Sequence, residues 1–598
     1  MLKVITLVCA LLGLLICVSL EAWVRKKIIN SDASAEATDR IHDRSRKFWA
    51  TQYLPVIIAT AVISVAVGMG IRRICTAVYL IGAGVSFISV FFGSASFRSG
   101  NTAALSQAEN RDLRTALKAD YRSASVMGLL ITCLGLLALG SVYLILDPET
   151  LPKVVGCIAL GASVTAVFLR ISGMVYSGAS NLAAKSGEFA DYSGAFAGSG
   201  ADYIETYLLA AAAAAVLAEV GVNTSGVTST FTLSSASKFP LLIYAIGIAA
   251  SVVGMMFYRA NLKKNPGRGT TLGNFFSAVI VIGATAYFSK EMLQSYVYAW
   301  CVASGIAAGF ITGEFNKMYA SDAAVFRRIS SAERNIRNGQ AVIDSFAAGM
   351  ISTLVPVILI VAAVVASYNF ASYYGIALSA VGMGSVVCIN SSVRGFAINA
   401  RSSSEIIEVS LKENKDTYAD IMYSSAVRAD AAGRTYSAVS AMLASFALIT
   451  AYIYSADIET VNLLNMAVLA GTAAGVVMVF VFAGMIITST AVTARVIRER
   501  RDYSEENGAS NSLRGAIIPS IAALLVPVVI GSVGGINALA GFLTSLSVTG
   551  TILVMALNNS GRYYESIAAE TLTTVIKLAL AISLVFMPVF TQLNGFLF

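Results

Sequence analysis

The stretch that decides the fold is LPKVVGCIALGASVTAVFLRISGMVYSGAS, residues 151–180. The apolar run over 153–175 is long enough to cross the hydrocarbon of a bilayer, which takes about 20 helical residues. Glycines recur along it, and glycine allows membrane helices to pack closely. One charge, Arg170, lies inside the run. The stretch therefore predicts a tightly packed transmembrane helix that carries a charge at membrane depth.

The rest of the chain has the same character. Of its 598 residues, 57% are hydrophobic and 13% are charged, whereas soluble proteins carry about 25% charged residues. This composition excludes a soluble globular protein and predicts one all-α, polytopic membrane bundle over 1–598, with about 16 transmembrane helices. The predicted spans are 2–24, 50–70, 75–97, 124–146, 153–175, 202–222, 239–258, 273–289, 293–313, 341–367, 372–390, 435–455, 461–490, 515–535, 537–557 and 574–596.

The basic residues predict the orientation. With an even number of spans both termini share one side, and few of the 42 lysines and arginines fall on that side. Because basic loops stay in the cytoplasm, both termini are expected on the non-cytoplasmic side of a plasma or inner membrane. Residues 2–20 could alternatively be a signal peptide. The expected cytoplasmic loops are longer and more polar than the outer ones, and lie at about 98–123, 176–201, 314–340, 391–434 and 491–514.

Several function classes lack their sequence signals. The net charge of +8 indicates topology in a membrane protein, so no nucleic-acid partner is expected. The seven cysteines form no CxxC pair and favour packing roles over metal binding. There is no GxxxxGK[ST] phosphate loop, and the single histidine, His42, has no partner for nucleophilic catalysis. A nucleotide-driven pump is therefore not predicted.

Four ionisable residues lie within predicted spans: Arg170, Asp202, Glu205 and Lys577. A charge at lipid depth costs several kcal/mol unless it is paired or hydrated, so each is a candidate functional residue. Asp202 and Glu205 are three residues apart and share one helix face. The four could form an ion-selective constriction. They could also be a structural ion-pair cluster, or lie near enough to the interface to reach water.

The chain resembles the membrane-bound pyrophosphatases in five segments along its length. They include FRSGNTAALSQAENRDLRTALKADYRSASVMGLL at 97–130, FLRISGMVYSGAS at 168–180 and SGADYIETYLLA at 199–210. The others are 332–363, which contains STLVP where the family has Ser-Thr-Ala-Leu-Pro, and the last two spans. The resemblance implies a homodimeric sixteen-helix pump that couples cytoplasmic pyrophosphate hydrolysis to proton or sodium export. It places the family's ion gate on Arg170, Asp202, Glu205 and Lys577.

The resemblance fails where the family binds its substrate. Pyrophosphate arrives with Mg²⁺, and hard cations need carboxylate oxygens. The family's three aspartates before the sixth helix leave one equivalent here, Asp191, and its Asp-x-Tyr-Gly-Pro motif becomes SSVRG at 391–395. We therefore predict no catalytic residue and no metal ligand. The residual vestibule residues are Lys185, Glu188, Asp191, Asn399, Glu405, Asp420 and Arg434.

Three hypotheses follow. In the first, the chain is a membrane protein without pyrophosphate hydrolysis that keeps a possible ion gate, in an ion-conducting or structural role. In the second, it is an active proton or sodium pump with a rearranged site, and only then would Mg²⁺ be a cofactor. In the third, it is a membrane scaffold whose basic loops recruit unknown protein partners or anionic lipid. The lipid bilayer is a partner in all three.

Overall fold

The computed structural model describes residues 2–29, 32–147, 150–184, 188–223, 232–261, 266–322, 347–411, 415–499, 504–559 and 563–593. Within these residues there is no β-strand, and fifteen helices account for most of the chain. They are α1 (Leu2–Arg25), α2 (Asp32–Gly70), α3 (Arg73–Glu109), α4 (Leu113–Ile145), α5 (Leu151–Ala183), α6 (Ser193–Asn223), α7 (Leu233–Asn261), α8 (Pro266–Leu293), α9 (Val297–Asp322), α10 (Leu354–Ser385), α11 (Val387–Ser410), α12 (Lys415–Ser455), α13 (Met466–Glu499), α14 (Ser504–Asn559) and α15 (Tyr563–Leu593).

The predicted all-α membrane bundle is confirmed. In the described ranges, thirteen helices are long and apolar enough to cross a membrane. Two of them are kinked, α10 at Ala371 and Ser372, and α14 at Gly535. Each kink lies at the boundary of two predicted spans, 341–367 and 372–390 in α10, and 515–535 and 537–557 in α14. The span predicted at 293–313 lies in α9, which is not among the thirteen.

Where the structure describes them, the expected cytoplasmic loops are largely helical, and residues 323–340 of the loop expected at 314–340 lie outside the described residues. Helix α3 runs on to Glu109 and α4 begins at Leu113, where Asp112 caps it by accepting a hydrogen bond from the Thr115 backbone amide at 3.1 Å. Helix α11 fills 387–410. Hydropathy detects where a helix leaves the lipid, but polar residues packed between helices allow it to continue. Asn101, for example, donates to Ser402 at 3.2 Å between α3 and α11.

Helices α5 and α6 lie at the centre of the bundle. The apolar window of α5 is 100% buried and that of α6 is 94% buried, against 11% for α2. Helix α3 approaches α5 closely because both have glycine at the crossing. A Cβ atom on Gly82 would lie 1.9 Å from the Ile158 carbonyl oxygen, and one on Gly161 would lie 2.0 Å from that of Tyr79. Arg170 of α5, and Asp202 and Glu205 of α6, are thereby held inside protein and away from lipid.

Candidate functional site

Helices α5, α6 and α15 bring the four predicted gate residues into contact. The Lys577 ammonium lies 2.6 Å from Oδ1 of Asp202 and 2.8 Å from Oε2 of Glu205. Nη1 of Arg170 lies 3.1 Å from Oδ2 of Asp202. The side chains are only 0 or 1% exposed, so the four are not residues that reach water at the interface. Their role as an ion gate stays a prediction.

The local sequence explains this arrangement. Because Asp202 and Glu205 are three apart on α6, one lysine from α15 reaches both carboxylates. Lys577 forms a hydrogen-bonded ion pair with Asp202. Its ion pair with Glu205 does not have the geometry of a hydrogen bond. Lys577 also donates to Thr206 Oγ1 at 2.8 Å. Two acids and two bases thus neutralise one another through direct side-chain contacts.

Arg170 is held by backbone as well as by charge. Its Nε donates to the carbonyl of Glu570 at 2.6 Å, and its Nη1 donates to the carbonyl of Gly198 at 3.2 Å. A Cβ on Gly198 would lie 3.1 Å from the Arg170 Cα, so the glycine permits the close approach of α6 to α5. The planar guanidinium suits this use, since its several donors lie in a fixed geometry.

The ion pairs continue beyond the four predicted residues. Oε1 of Glu570 accepts from Nη2 of Arg394 at 2.6 Å, and its Oε2 lies 3.6 Å from Nη2 of Arg170. Asp430 pairs with both Arg394 and Arg434. Acids and bases therefore alternate along a chain of side chains with four of each. In order, this ion-pair chain is Glu205, Lys577, Asp202, Arg170, Glu570, Arg394, Asp430 and Arg434.

Glu570 and Asp430 are not among the residues predicted from the sequence. The last span was expected to begin at residue 574, with 565–573 as a connection, whereas α15 begins at Tyr563. Glu570 precedes Lys577 by seven residues, or about two helical turns, and therefore lies on the same helix face. That spacing was the available signal. Asp430 lies four residues before Arg434 on α12, a common spacing for an ion pair on one helix.

The buried acids of the predicted vestibule are occupied by contacts within the protein. Asp191 accepts from the backbone amide of Ser193 at 2.8 Å and from the Tyr176 hydroxyl at 3.0 Å, and so caps the start of α6. Glu405 accepts from the backbone amide of Ala190 at 2.9 Å and from the Tyr192 hydroxyl at 2.6 Å. Burial raises the pKa of Glu405 despite these bonds and the nearby Arg401.

The remaining predicted vestibule residues do not converge. Asn399 is buried and donates to the Asp120 carbonyl at 3.0 Å and to the Ser123 hydroxyl at 2.7 Å. Glu188 and Asp420 are exposed, and Arg434 belongs to the ion-pair chain. Lys185 lies outside the described residues.

These side chains do not fit Mg²⁺. Across the part of the chain that the structure describes, no group of three or more His, Cys, Asp or Glu residues could hold a metal ion. The cavity at the vestibule has about 10 Å³, roughly the space of one water. Its polar lining consists of Tyr192, Arg394, Arg401 and Asp430. A cavity lined by two arginines and one carboxylate disfavours binding of a divalent cation.

Known proteins resemble this chain over nearly its whole length. The family described as inorganic H⁺ pyrophosphatase matches residues 11–187 and 187–566. A putative K⁺-stimulated pyrophosphate-energized sodium pump of Clostridium tetani is 26% identical, over 99% of this chain and 98% of the pump. A K⁺-insensitive pyrophosphate-energized proton pump of Moorella thermoacetica is 25% identical, over 93% of this chain and 90% of the pump. A K⁺-insensitive pyrophosphate-energized proton pump of Methanosarcina mazei is 24% identical, over 92% of this chain and 89% of the pump.

Proposed function

Because this chain belongs to the inorganic H⁺ pyrophosphatase family, we propose that it is a membrane member that no longer hydrolyses pyrophosphate but keeps a charged ion gate. One observation carries the proposal. Apart from the exposed Glu188 and Asp420, the acids that remain at the vestibule are bound to arginines, tyrosines and backbone amides of the same chain. Metal-loaded pyrophosphate needs carboxylate oxygens that are free to coordinate.

The character of the vestibule supports the same proposal. The resemblance places the family's Asp-x-Tyr-Gly-Pro on 391–395, so Arg394 stands at the motif's glycine and Ser391 at its aspartate. A guanidinium thus enters the vestibule at the position of a residue without a side chain, and a carboxylate is lost three residues earlier. Both changes make the site more positive. Such a site attracts an anion but disfavours the Mg²⁺ that accompanies pyrophosphate.

A hydrolysis assay tests the proposal directly. The purified full-length protein is given pyrophosphate with Mg²⁺, with and without K⁺ and Na⁺, and phosphate release is measured. We expect release equal to that of a heat-inactivated sample. A pump of the family, purified in the same detergent and lipid, shows that the assay detects turnover, and a cooperative thermal transition shows that the sample is folded. Mg²⁺-dependent release above the inactivated sample would refute the loss of hydrolysis.

A second candidate is an active pyrophosphate-energised proton or sodium pump with a rearranged site. It is favoured by the activity for which the three relatives are named, and by the four gate residues being present together. It requires metal-binding acids from the long inner segments, such as Glu405 and Asp420. Glu405 is engaged by Ala190 and Tyr192, and Asp420 is exposed on α12, which disfavours this candidate.

The proposal includes an orientation and an assembly. Both termini lie on the non-cytoplasmic side of a plasma or inner membrane, and the protein forms a homodimer, as the family resemblance implies. Terminal epitope tags should therefore be accessible to antibody from outside intact spheroplasts. The mass of the protein in lipid nanodiscs should equal that of two chains. Tags reached only after permeabilisation, or the mass of one chain, would contradict these two parts separately.

A further inference from the structure

We propose that Glu570 is a positioning residue that seals the gate from the vestibule, by placing one carboxylate between two arginines. The inference rests on the proposed gate role of Arg170, Asp202, Glu205 and Lys577. It concerns the boundary between that gate and the vestibule. In this arrangement Arg394, Glu570 and Arg170 form the seal.

The position of Glu570 supports this role. It lies on α15, and its side chain is 5% exposed. On one side, Oε1 accepts from Arg394 of α11 at 2.6 Å. On the other, Oε2 lies 3.6 Å from Arg170 of α5, whose Nε also donates to the Glu570 carbonyl. Three helices therefore meet at one side chain, between the cavity that Arg394 lines and the gate that Arg170 enters.

Electrostatics explains why a carboxylate is needed there. Arg170 and Arg394 are both buried, so water does little to screen their repulsion. Among the residues that the structure describes, Glu570 is the acid that contacts both of them, and its Oε1 also lies 3.6 Å from Nε of Arg434. Without its charge, the buried guanidiniums would repel one another, and the favourable response is movement of the Arg394 side chain away from Arg170 with entry of water. Thr573 connects Glu570 to the gate, because its hydroxyl donates to the Glu570 carbonyl at 2.8 Å and lies 3.4 Å from Oδ1 of Asp202.

Asp430 provides a matched control. It also bridges two arginines, Arg394 and Arg434, and its neutralisation changes the net charge by the same amount. However, its side chain is 20% exposed and does not contact Arg170. Water can screen the partly exposed Asp430 and Arg434 at that outer position, and the bond from Arg394 to Glu570 is retained.

The test measures entry of water at Thr573. A Thr573→Cys variant is reconstituted and treated with a small charged thiol reagent, with the protein that retains Thr573 as background for the native cysteines. In this variant, Glu570→Gln should raise the labelling rate about tenfold or more, the change that about 1.4 kcal/mol gives. Asp430→Asn should leave the rate unchanged. The double change Arg394→Gln with Glu570→Gln removes one charge of each sign and should return the rate to the starting value.

Each alternative has a distinct outcome. If Asp430→Asn raises labelling as much as Glu570→Gln, net charge alone is responsible and the inference is wrong. If the double change labels as fast as Glu570→Gln, Glu570 has a packing role and the inference is also wrong. Unchanged labelling in Glu570→Gln, with an intact thermal transition, overturns it as well.

Ion flux separates this inference from the proposed function. Proton and Na⁺ leakage is measured in liposomes that contain the same variants. If Glu570→Gln speeds both labelling and leakage, both the seal and the gate are supported. If it speeds labelling alone, the seal is supported, and the four residues behind it form a structural cluster and not an ion path. The hydrolysis assay is independent of both results.

Discussion

Replacing Lys577 with methionine tests whether the buried charges of α5, α6 and α15 depend on one another. Methionine has nearly the same length and no charge, so Glu205 loses its cation, whereas Asp202 keeps Arg170 at 3.1 Å and the Ser437 hydroxyl. Removal of one partner from a buried ion pair costs about 3–5 kcal/mol, because the other charge remains in a medium that cannot solvate it. We expect a loss of this size, since Glu205 is fully buried.

The assay is equilibrium unfolding in mixed micelles, carried out as a double-mutant cycle with Glu205→Gln. The double variant Lys577→Met with Glu205→Gln carries no isolated charge at Glu205 and should recover more than half of the lost stability. A matching recovery is not expected with Asp430→Asn, because Asp430 does not contact Lys577. A Lys577→Met protein within about 1 kcal/mol of wild type would refute the argument, since exposed ion pairs have contributions of that size.

Two further predictions concern packing and pH. Gly161→Ala should destabilise the protein by about 1–3 kcal/mol in the same unfolding assay, because its Cβ would lie 2.0 Å from the Tyr79 carbonyl oxygen. Gly84→Ala, where no atom lies within 4 Å, should be neutral or stabilising, and equal effects would contradict this account of the crossing. Burial raises the pKa of Glu405, so the folded state binds the Glu405 proton more tightly than the unfolded state does. The stability that this proton contributes is therefore present at low pH and falls as pH rises above about 4.3. Unfolding at several pH values should show a flatter profile for Glu405→Gln, and identical slopes would show that Glu405 does not contribute.

The ion-pair chain gives these predictions a common physical basis. Eight side chains with four charges of each sign extend from fully buried Glu205 to partly exposed Arg434. Each inner charge is stabilised mainly by its neighbours, because burial leaves it little contact with solvent. Effects of substitution should therefore be largest at the inner end and decrease towards Asp430 and Arg434. In a family whose relatives are named as ion pumps, such a gradient distinguishes a closed gate from a solvated channel.

Much of the protein could be predicted from the sequence. Apolar runs of membrane length determine an all-α bundle, because lipid offers no hydrogen bonds to an open backbone. Charges inside such runs are costly, which singled out Arg170, Asp202, Glu205 and Lys577 from one chain. The spacing of Asp202 and Glu205 also predicted that they share a helix face.

Which charges meet depends on the tertiary structure. Glu570 and Arg394 are 176 positions apart, and their 2.6 Å contact arises because α11 and α15 both pack against α12. The tertiary structure also places Glu405 against Tyr192 and Ala190, whereas Asp420, which looked equivalent in sequence, is exposed. Hydropathy depends on each residue and its neighbours along the chain, whereas the pairing of buried charges depends on how distant helices are placed. The sequence therefore determined that charges would be buried, and the fold determined their partners.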